Sequence, residues 1–354
     1  MAKKIQIGIN GFGRIGRITC RVILEQYSEW LEVAAINDIA PLEFNAALLK
    51  HDTNYGKFPK SVSTRMGAEN EAWLVVDGQE IRVYQQRNPA DIPWRDHGVD
   101  IVIESTGLFT DKAKAQAHID GGGAKKVIIS APAKGGAKTV VLGVNEDSYD
   151  PAVDHVISNA SCTTNCLAPM AKAIDELWGI EQGFMTTIHA YTNDQRVADQ
   201  VHPDDLRRAR AAAANIIPTS TGAARAIGEV LPNLKGKLDG IAIRVPTPTV
   251  SITDLVVTTK KTLCERPEDP EARKAAVKAV KEALKSKVNE PYLAVTEEEL
   301  VSSDFRGDPR SSIIDLGQTN VIGSNMLKVC SWYDNEWGYS CRLAELARYV
   351  AERL

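Results

Sequence analysis

The chain has 354 residues, enough for two domains with cores of their own. A quarter of the residues are charged but the formal net charge is only −4, which argues against a general binder of nucleic acids or membrane surfaces. Six cysteines without regular spacing read as reduced thiols, and no apolar run approaches the roughly 20 residues that cross a bilayer. Met1-Ala2-Lys3-Lys4 leads directly into a strand pattern rather than a leader, so a cytoplasmic protein is expected. Ile5, Ile7 and Ile9 alternate as a strand, and Gly11-x-Gly13-x-x-Gly16 follows at once. A helix then begins, with Ile15, Ile18, Val22 and Ile23 on one face. Such glycines allow a tight turn and a close backbone approach to a pyrophosphate, which a helix N-terminus attracts. A second strand, Glu32 to Ile36, ends at Asn37-Asp38, the distance expected for the acid that holds a ribose hydroxyl. Strand, turn, helix, strand and acid in this order point to a dinucleotide. A carboxylate at Asp38 repels a 2′-phosphate, and Ile39 offers it no hydroxyl, so NAD is expected over NADP.

Trp73 to Val76 and Glu80 to Tyr84, joined at Asp77-Gly78, read as a hairpin. Continuous apolar strands are expected at Ile101–Ile103, Val127–Ile129 and Val140–Leu142, as in a parallel sheet covered on both faces. Ser105-Thr106-Gly107 and Ser130-Ala131-Pro132 follow two of them, where ligands of such sheets bind. Next, His155 to Ile157 hands over to a helix carrying Leu167, Met170, Ala171, Ile174 and Trp178 at helical spacing, with Pro169 inside it. Cys162 stands at that hand-over, where free N–H groups and the helix dipole favour a thiolate. Four-residue spacing from Cys166 suits neither a tight zinc site nor a disulfide, and no metal is expected. Cys166 fits a buried structural thiol, whereas Cys162 reads as a nucleophile, which spacing alone would not justify.

A strand from Gly183 to Ala190 delivers His189, 27 residues after Cys162. The polar stretch Asn193 to Arg210 reads as a functional loop. Alternating strands follow at Leu238–Val245 and Thr249–Thr259. Pro270–Lys287 is expected as a helix with Val277, Val280 and Leu284 inward and a solvated basic face, so no dedicated nucleic-acid site is expected. Strands at Ser312–Leu316 and Met326–Ser331 precede a closing helix with Leu343, Leu346, Ala347 and Val350 inward.

Three stretches carry a resemblance: Ile9 to Arg17, Ser158-Asn-Ala-Ser-Cys-Thr-Thr-Asn-Cys-Leu-Ala-Pro169, and Ser331-Trp-Tyr-Asp-Asn-Glu-Trp-Gly-Tyr-Ser340. Together the chain resembles the phosphorylating glyceraldehyde-3-phosphate dehydrogenases over essentially its whole length. The resemblance implies an α/β protein, with a Rossmann-type doubly wound parallel sheet and an α+β catalytic domain on a mixed or antiparallel sheet. It implies an NAD-binding domain at residues 1–161 with 334–354 and a catalytic domain at 162–333. It implies Cys162 as nucleophile and His189 as the base that would stabilise the thiolate as imidazolium. Cofactor contacts are expected at Gly11, Gly13, Arg14, Ile15, Gly16, Asp38, Arg87, Thr106, Ser130, Asn335 and Tyr339. Thr192 and Arg244 match a site for the substrate's phosphate, and Ser161, Thr163, Arg208, Thr221 and Gly222 match a site for inorganic phosphate. The expected reaction is oxidation of glyceraldehyde 3-phosphate through a thiohemiacetal and a thioester that inorganic phosphate cleaves, in a homotetramer. Alternatives are a relative oxidising erythrose 4-phosphate, against which Pro218 to Ala224 argues, and a non-catalytic NAD-binding or redox-sensing homologue. Asp199 to Asp205 departs from the commoner versions of its loop, which leaves strict NAD preference less secure. Trp337 and Cys341 replace a phenylalanine and an asparagine, with little effect expected.

Overall fold

The computed structural model describes residues 4–68 and 71–354. The chain forms two compact units: Met1–Val140 with Asp147–Ser161 and Ser340–Leu354, and Val141–Glu146 with Cys162–Tyr339. Among the described residues no helix is long and apolar enough to cross a membrane.

The first unit is organised by a sheet that contains nine strands among the described residues. From one edge these are Lys138–Thr139, Val156–Ser158, Lys126–Ile129, Ile101–Glu104, Ile5–Asn10, Leu31–Asn37 and Gln79–Tyr84, all parallel to their neighbours. Ala72–Val76 and Val62–Met66 continue it antiparallel. The chain leaves Ile5–Asn10 for Leu31–Asn37 on one side and later adds Ile101–Glu104 on the other. The reversal therefore lies beside Asn10, and ligands of such sheets bind at the strand C-termini there. Ile7, Ile9, Ile101, Val102 and Ile103 are all fully buried, as continuous apolar strands of a sheet covered on both faces should be. Asp77 and Gly78 take φ of 47° and 84°, the two positive values a two-residue hairpin turn with the right twist demands.

Two local expectations are corrected. Val140 to Leu142 is buried but not a strand: the strand is Lys138–Thr139, and the Val141 N–H turns to Asn145 Oδ1 instead of a ladder. On the helix Pro270–Lys285, the buried face is Ala276, Val280 and Leu284, while Val277 is only half-buried.

The second unit carries a mixed sheet with seven strands among the described residues. In order they are Ile217–Ser220, Leu238–Val245, Ile180–Ala190, Ser251–Thr259, Met326–Tyr333, Ile313–Ile322 and Ala294–Thr296. Burial alternates strictly along Ser251–Thr259, which shows one face packed and one less covered. The helix Cys162–Trp178 packs on this sheet through Leu167, Met170 and Ile174, all fully buried, and runs through Pro169.

Candidate active site

In the first unit the glycine turn divides its labour. Gly11 has φ of 86°, and a Cβ there would come within 2.6 Å of the Thr106 backbone nitrogen. A Cβ on Gly16 would come within 2.1 Å of the Gly11 carbonyl oxygen. These two glycines let the turn close on the helix Arg14–Val22 and on the neighbouring strand end. Gly13 differs: its Cβ would meet nothing within 4 Å, so it keeps a bare face at the N-cap of that helix. Bare backbone at a helix start is the feature a pyrophosphate requires.

Asp38 is drawn into the same turn. Its Oδ2 accepts from the Phe12 N–H at 2.7 Å and its Oδ1 from the Ala40 N–H at 2.8 Å. With Arg87, Thr106, Asn10 and Leu108 it lines a cavity of about 280 Å³ that Gly11 and Gly13 also border. Arg14 places its guanidinium on Asp52. Ile15 is half-buried in the first helical turn. Ser130 closes the strand Lys126–Ile129, its N–H bonded to the Glu104 carbonyl at 2.9 Å, outside that lining.

Beneath the cavity lies a polar network that motif reading missed. The Glu104 carboxylate accepts from the Thr106 backbone N–H at 2.8 Å and bonds His118 Nε2 at 2.9 Å and Asn10 Nδ2. Trp94 Nε1–H donates to His118 Nδ1 at 3.0 Å, so Nε2 bears the hydrogen that goes to Glu104. His118 is fully buried and Glu104 nearly so, and each polar atom is met. The carboxylate thereby fixes Thr106 at the cavity wall.

The second unit holds the thiol. Residue 160, an alanine, is held at φ 55° between the strand Val156–Ser158 and the helix that begins at Cys162. Such left-handed backbone costs an alanine about 1 kcal/mol or more, which marks a turn fixed by its surroundings. Cys162 Sγ lies 3.5 Å from His189 Nε2. On the other side of the imidazole, Nδ1 is 2.7 Å from the Ala190 carbonyl, close enough to require a hydrogen on Nδ1. Nε2 therefore presents its lone pair to the sulfur. Arg244 Nη1 reaches the Ala190 carbonyl at 3.1 Å and Thr192 Oγ1 at 3.3 Å, and stands 2.9 Å from Nδ1.

Burial opposes the charge that the helix start favours. Burial pushes the Cys162 thiol up, and this outweighs Arg244, Thr163 and the helix-start N–H groups, which lower it. Burial, with Arg244 beside it, pushes His189 down to about 3. Both shifts oppose the charged pair, while the 3.5 Å spacing favours it.

Around this pair the anion-site candidates fall into two groups. Thr192 and Arg244 are joined directly. Arg208 is ion-paired with Asp194 and lies 3.3 Å from Asp205, with Nη2 3.4 Å from the Ser220 carbonyl, just before Thr221 and Gly222. Thr221 Oγ1 accepts the Ala223 N–H at 3.2 Å, and Gly222 caps the helix Ala223–Val230. Arg208 is near enough to lower the proton affinity of Arg244, behind burial as the main cause. Two arginines in mutual repulsion make a place where an anion is stabilising. Thr163 is buried, its hydroxyl 3.0 Å from the Tyr333 hydroxyl, which also meets Thr187 Oγ1 at 2.9 Å. Ser161 is half-buried and precedes the nucleophile in the chain. Asn335 is buried with its Oδ1 2.9 Å from Ser251 Oγ, and Tyr339 is buried in the first turn of the helix Trp337–Ala351. Ser251 has no motif of its own in the sequence, and Tyr333 lies within the Ser331–Ser340 stretch without a role assigned by it; strand register brings both here. Among the described residues no group of His, Cys, Asp and Glu is arranged to hold a metal.

The chain is similar to known proteins over nearly its whole length. The family described as glyceraldehyde 3-phosphate dehydrogenase, NAD binding domain, matches residues 5–112, and the corresponding C-terminal domain matches residues 161–335. The chain is 54% identical over 350 residues to a glyceraldehyde-3-phosphate dehydrogenase of Streptomyces coelicolor, covering 99% of each chain. It is 54% identical over 354 residues to one from Mycobacterium avium and 52% identical over 350 to one from Geobacillus stearothermophilus, again with 99% of each chain covered.

Proposed function

Because the chain belongs to the glyceraldehyde-3-phosphate dehydrogenase family, we propose that it oxidises glyceraldehyde 3-phosphate to an acyl phosphate with NAD and inorganic phosphate. The observation that carries the reading is the Cys162–His189 pair beside Arg244, 3.5 Å from sulfur to Nε2 and 2.9 Å from Nδ1 to guanidinium.

The turn at Gly11, Gly13 and Gly16, with Asp38, Arg87 and Thr106, fits a dinucleotide by its bare backbone and its cavity. Arg14 and Ile15 would add helix-start N–H groups, and Ser130, Asn335 and Tyr339 complete the proposed contacts. NAD, when bound, supplies the hydride acceptor.

Thr192 and Arg244 bind the phosphate of the aldehyde. A dianion against Arg244 offsets the cation that opposes protonation of His189, so substrate binding strengthens the base. His189 Nε2 then takes the Cys162 proton as sulfur bonds to the aldehyde carbon, and the proton passes to the carbonyl oxygen. With NAD bound to take up the hydride, His189 would accept the hydroxyl proton of this thiohemiacetal as a thioester forms on Sγ. Inorganic phosphate, held by Ser161, Thr163, Arg208, Thr221 and Gly222, attacks the acyl carbon. The C–S bond breaks, and the sulfur recovers its proton from His189.

The test is the initial rate of NADH formation across a phosphate titration, with glyceraldehyde 3-phosphate and erythrose 4-phosphate compared. Phosphate-dependent turnover of the three-carbon sugar is expected. Phosphate-independent turnover of the four-carbon sugar would reverse the assignment.

Strand register puts Phe184, Ile241 and Met326 on one sheet face, 50%, 39% and 40% exposed. Val197, Val201 and Leu206 in the long loop are also exposed. Apolar surface of this kind supports a homotetramer, and a monomeric mass by light scattering would refute it. Six free thiols suit a reducing cytoplasm. A secreted native protein would contradict that location.

A further inference from the structure

The segment Thr249-Val250-Ser251 is strained where nothing in the mechanism above uses it. Val250 is a buried β-branched residue at φ 69°, a conformation that such a side chain adopts only when its surroundings impose it. The two residues flanking it explain the imposition. Thr249 Oγ1 lies 3.0 Å from Asp334 Oδ1, and Ser251 Oγ lies 2.9 Å from Asn335 Oδ1. One strained residue thus aims two hydroxyls at two consecutive residues. Asp334 also accepts the Glu336 and Trp337 N–H groups, each at 3.0 Å, so it anchors the turn that holds Asn335.

The polarity of the second contact is forced. The Ala190 N–H donates to Ser251 Oγ at 3.1 Å, so the serine oxygen is an acceptor there. Its own hydrogen is then available for Asn335 Oδ1, the acceptor end of the amide. The Asn335 side-chain nitrogen bonds to no other described group, which leaves both its hydrogens for a ligand. The carbonyl of the same residue takes Arg244. Ala190 therefore links the orientation of Asn335 to the segment that carries His189.

We infer that Ser251 is a positioning residue: it locks the Asn335 amide with its nitrogen outward, so that Asn335 acts only as a donor, toward the carboxamide oxygen of the cofactor's nicotinamide. The inference rests on the proposed function, which gives Asn335 its ligand. Without the serine hydroxyl the amide is free to turn, and its oxygen can face the carboxamide oxygen, acceptor against acceptor.

The experiment measures binding of NAD and of ADP-ribose to the wild-type protein and to Ser251→Ala. ADP-ribose carries every part of the cofactor except the nicotinamide and so makes no use of Asn335. Loss of one oriented hydrogen bond should weaken NAD about tenfold and leave ADP-ribose unchanged. Equal losses for the two ligands, or no loss for either, would overturn the inference. Should Ser251→Ala not fold, Ser251→Cys keeps the size with a weaker donor, and the same selective loss is expected. A wild-type protein that binds ADP-ribose but gains nothing from the nicotinamide would overturn the inference while leaving the nucleotide pocket standing. One that binds neither ligand would overturn the cofactor reading as well.

Discussion

The nucleotide pocket of the first unit is mostly backbone: bare glycine, helix-start N–H groups and strand ends, with Asp38 binding two N–H groups of its own chain. The thiol site of the second unit is mostly side chains, carried by one helix and three strands between Cys162 and Asn335. The difference teaches where tolerance to mutation lies. Backbone donors survive most side-chain changes, whereas in the proposed site of Cys162, His189, Thr192 and Arg244 each truncation should remove a separate contribution.

The contrast can be broken first at His189. His189→Asn should lower kcat by roughly 10²–10⁴-fold, the contribution of a positioned base. It should also change stability against pH. The folded histidine is held down to about 3, whereas the unfolded one titrates near 6.5, so the unfolded chain binds the extra proton between those values. The wild-type protein should therefore lose stability as pH falls from 6.5 toward 3, by about 5 kcal/mol over the whole window. Denaturant melts at pH 7 and pH 4 should show a smaller drop for His189→Asn, and parallel drops would contradict a buried neutral imidazole.

Arg244→Leu sharpens the contrast within the thiol site. Loss of charge-assisted bonds should raise KM for the phosphorylated aldehyde by about 10–10²-fold. Unphosphorylated glyceraldehyde should be affected far less, and equal losses for both aldehydes would remove Arg244 from phosphate binding. The smallest effect is expected in the backbone-built pocket. Asp38→Ala should shift the NAD-to-NADP ratio of kcat/KM toward NADP by about tenfold. An unchanged ratio would place cofactor choice elsewhere.

The same division governs what could be read without a structure. The glycine turn, Asp38 and the Asp77-Gly78 hairpin were legible because local backbone geometry dictates residue type at fixed spacing. Cys162 was legible in part from its place at a helix start, but its pairing with His189 only through a recognisable motif, since nothing local says that a helix start and a strand end 27 residues later meet. Val140 to Leu142 misled because a buried apolar triplet looks like a strand, whether or not its N–H groups enter a ladder. The helix start that favours a thiolate is visible in sequence, whereas the burial that opposes it is a tertiary property. Ser251 was invisible for a similar reason, and Tyr333 lay in a recognisable stretch that assigns it no role: each acts through a neighbour set by strand register.

Cys162 alone should carry the acyl group until phosphate removes it. Intact and peptide mass spectrometry after one turnover with NAD and glyceraldehyde 3-phosphate, without phosphate, tests this directly. A phosphoglyceroyl adduct confined to the peptide bearing Cys162, and discharged when phosphate is added, is the expected result. An adduct on another residue, or NADH released in equal measure by Cys162→Ser, would contradict the account.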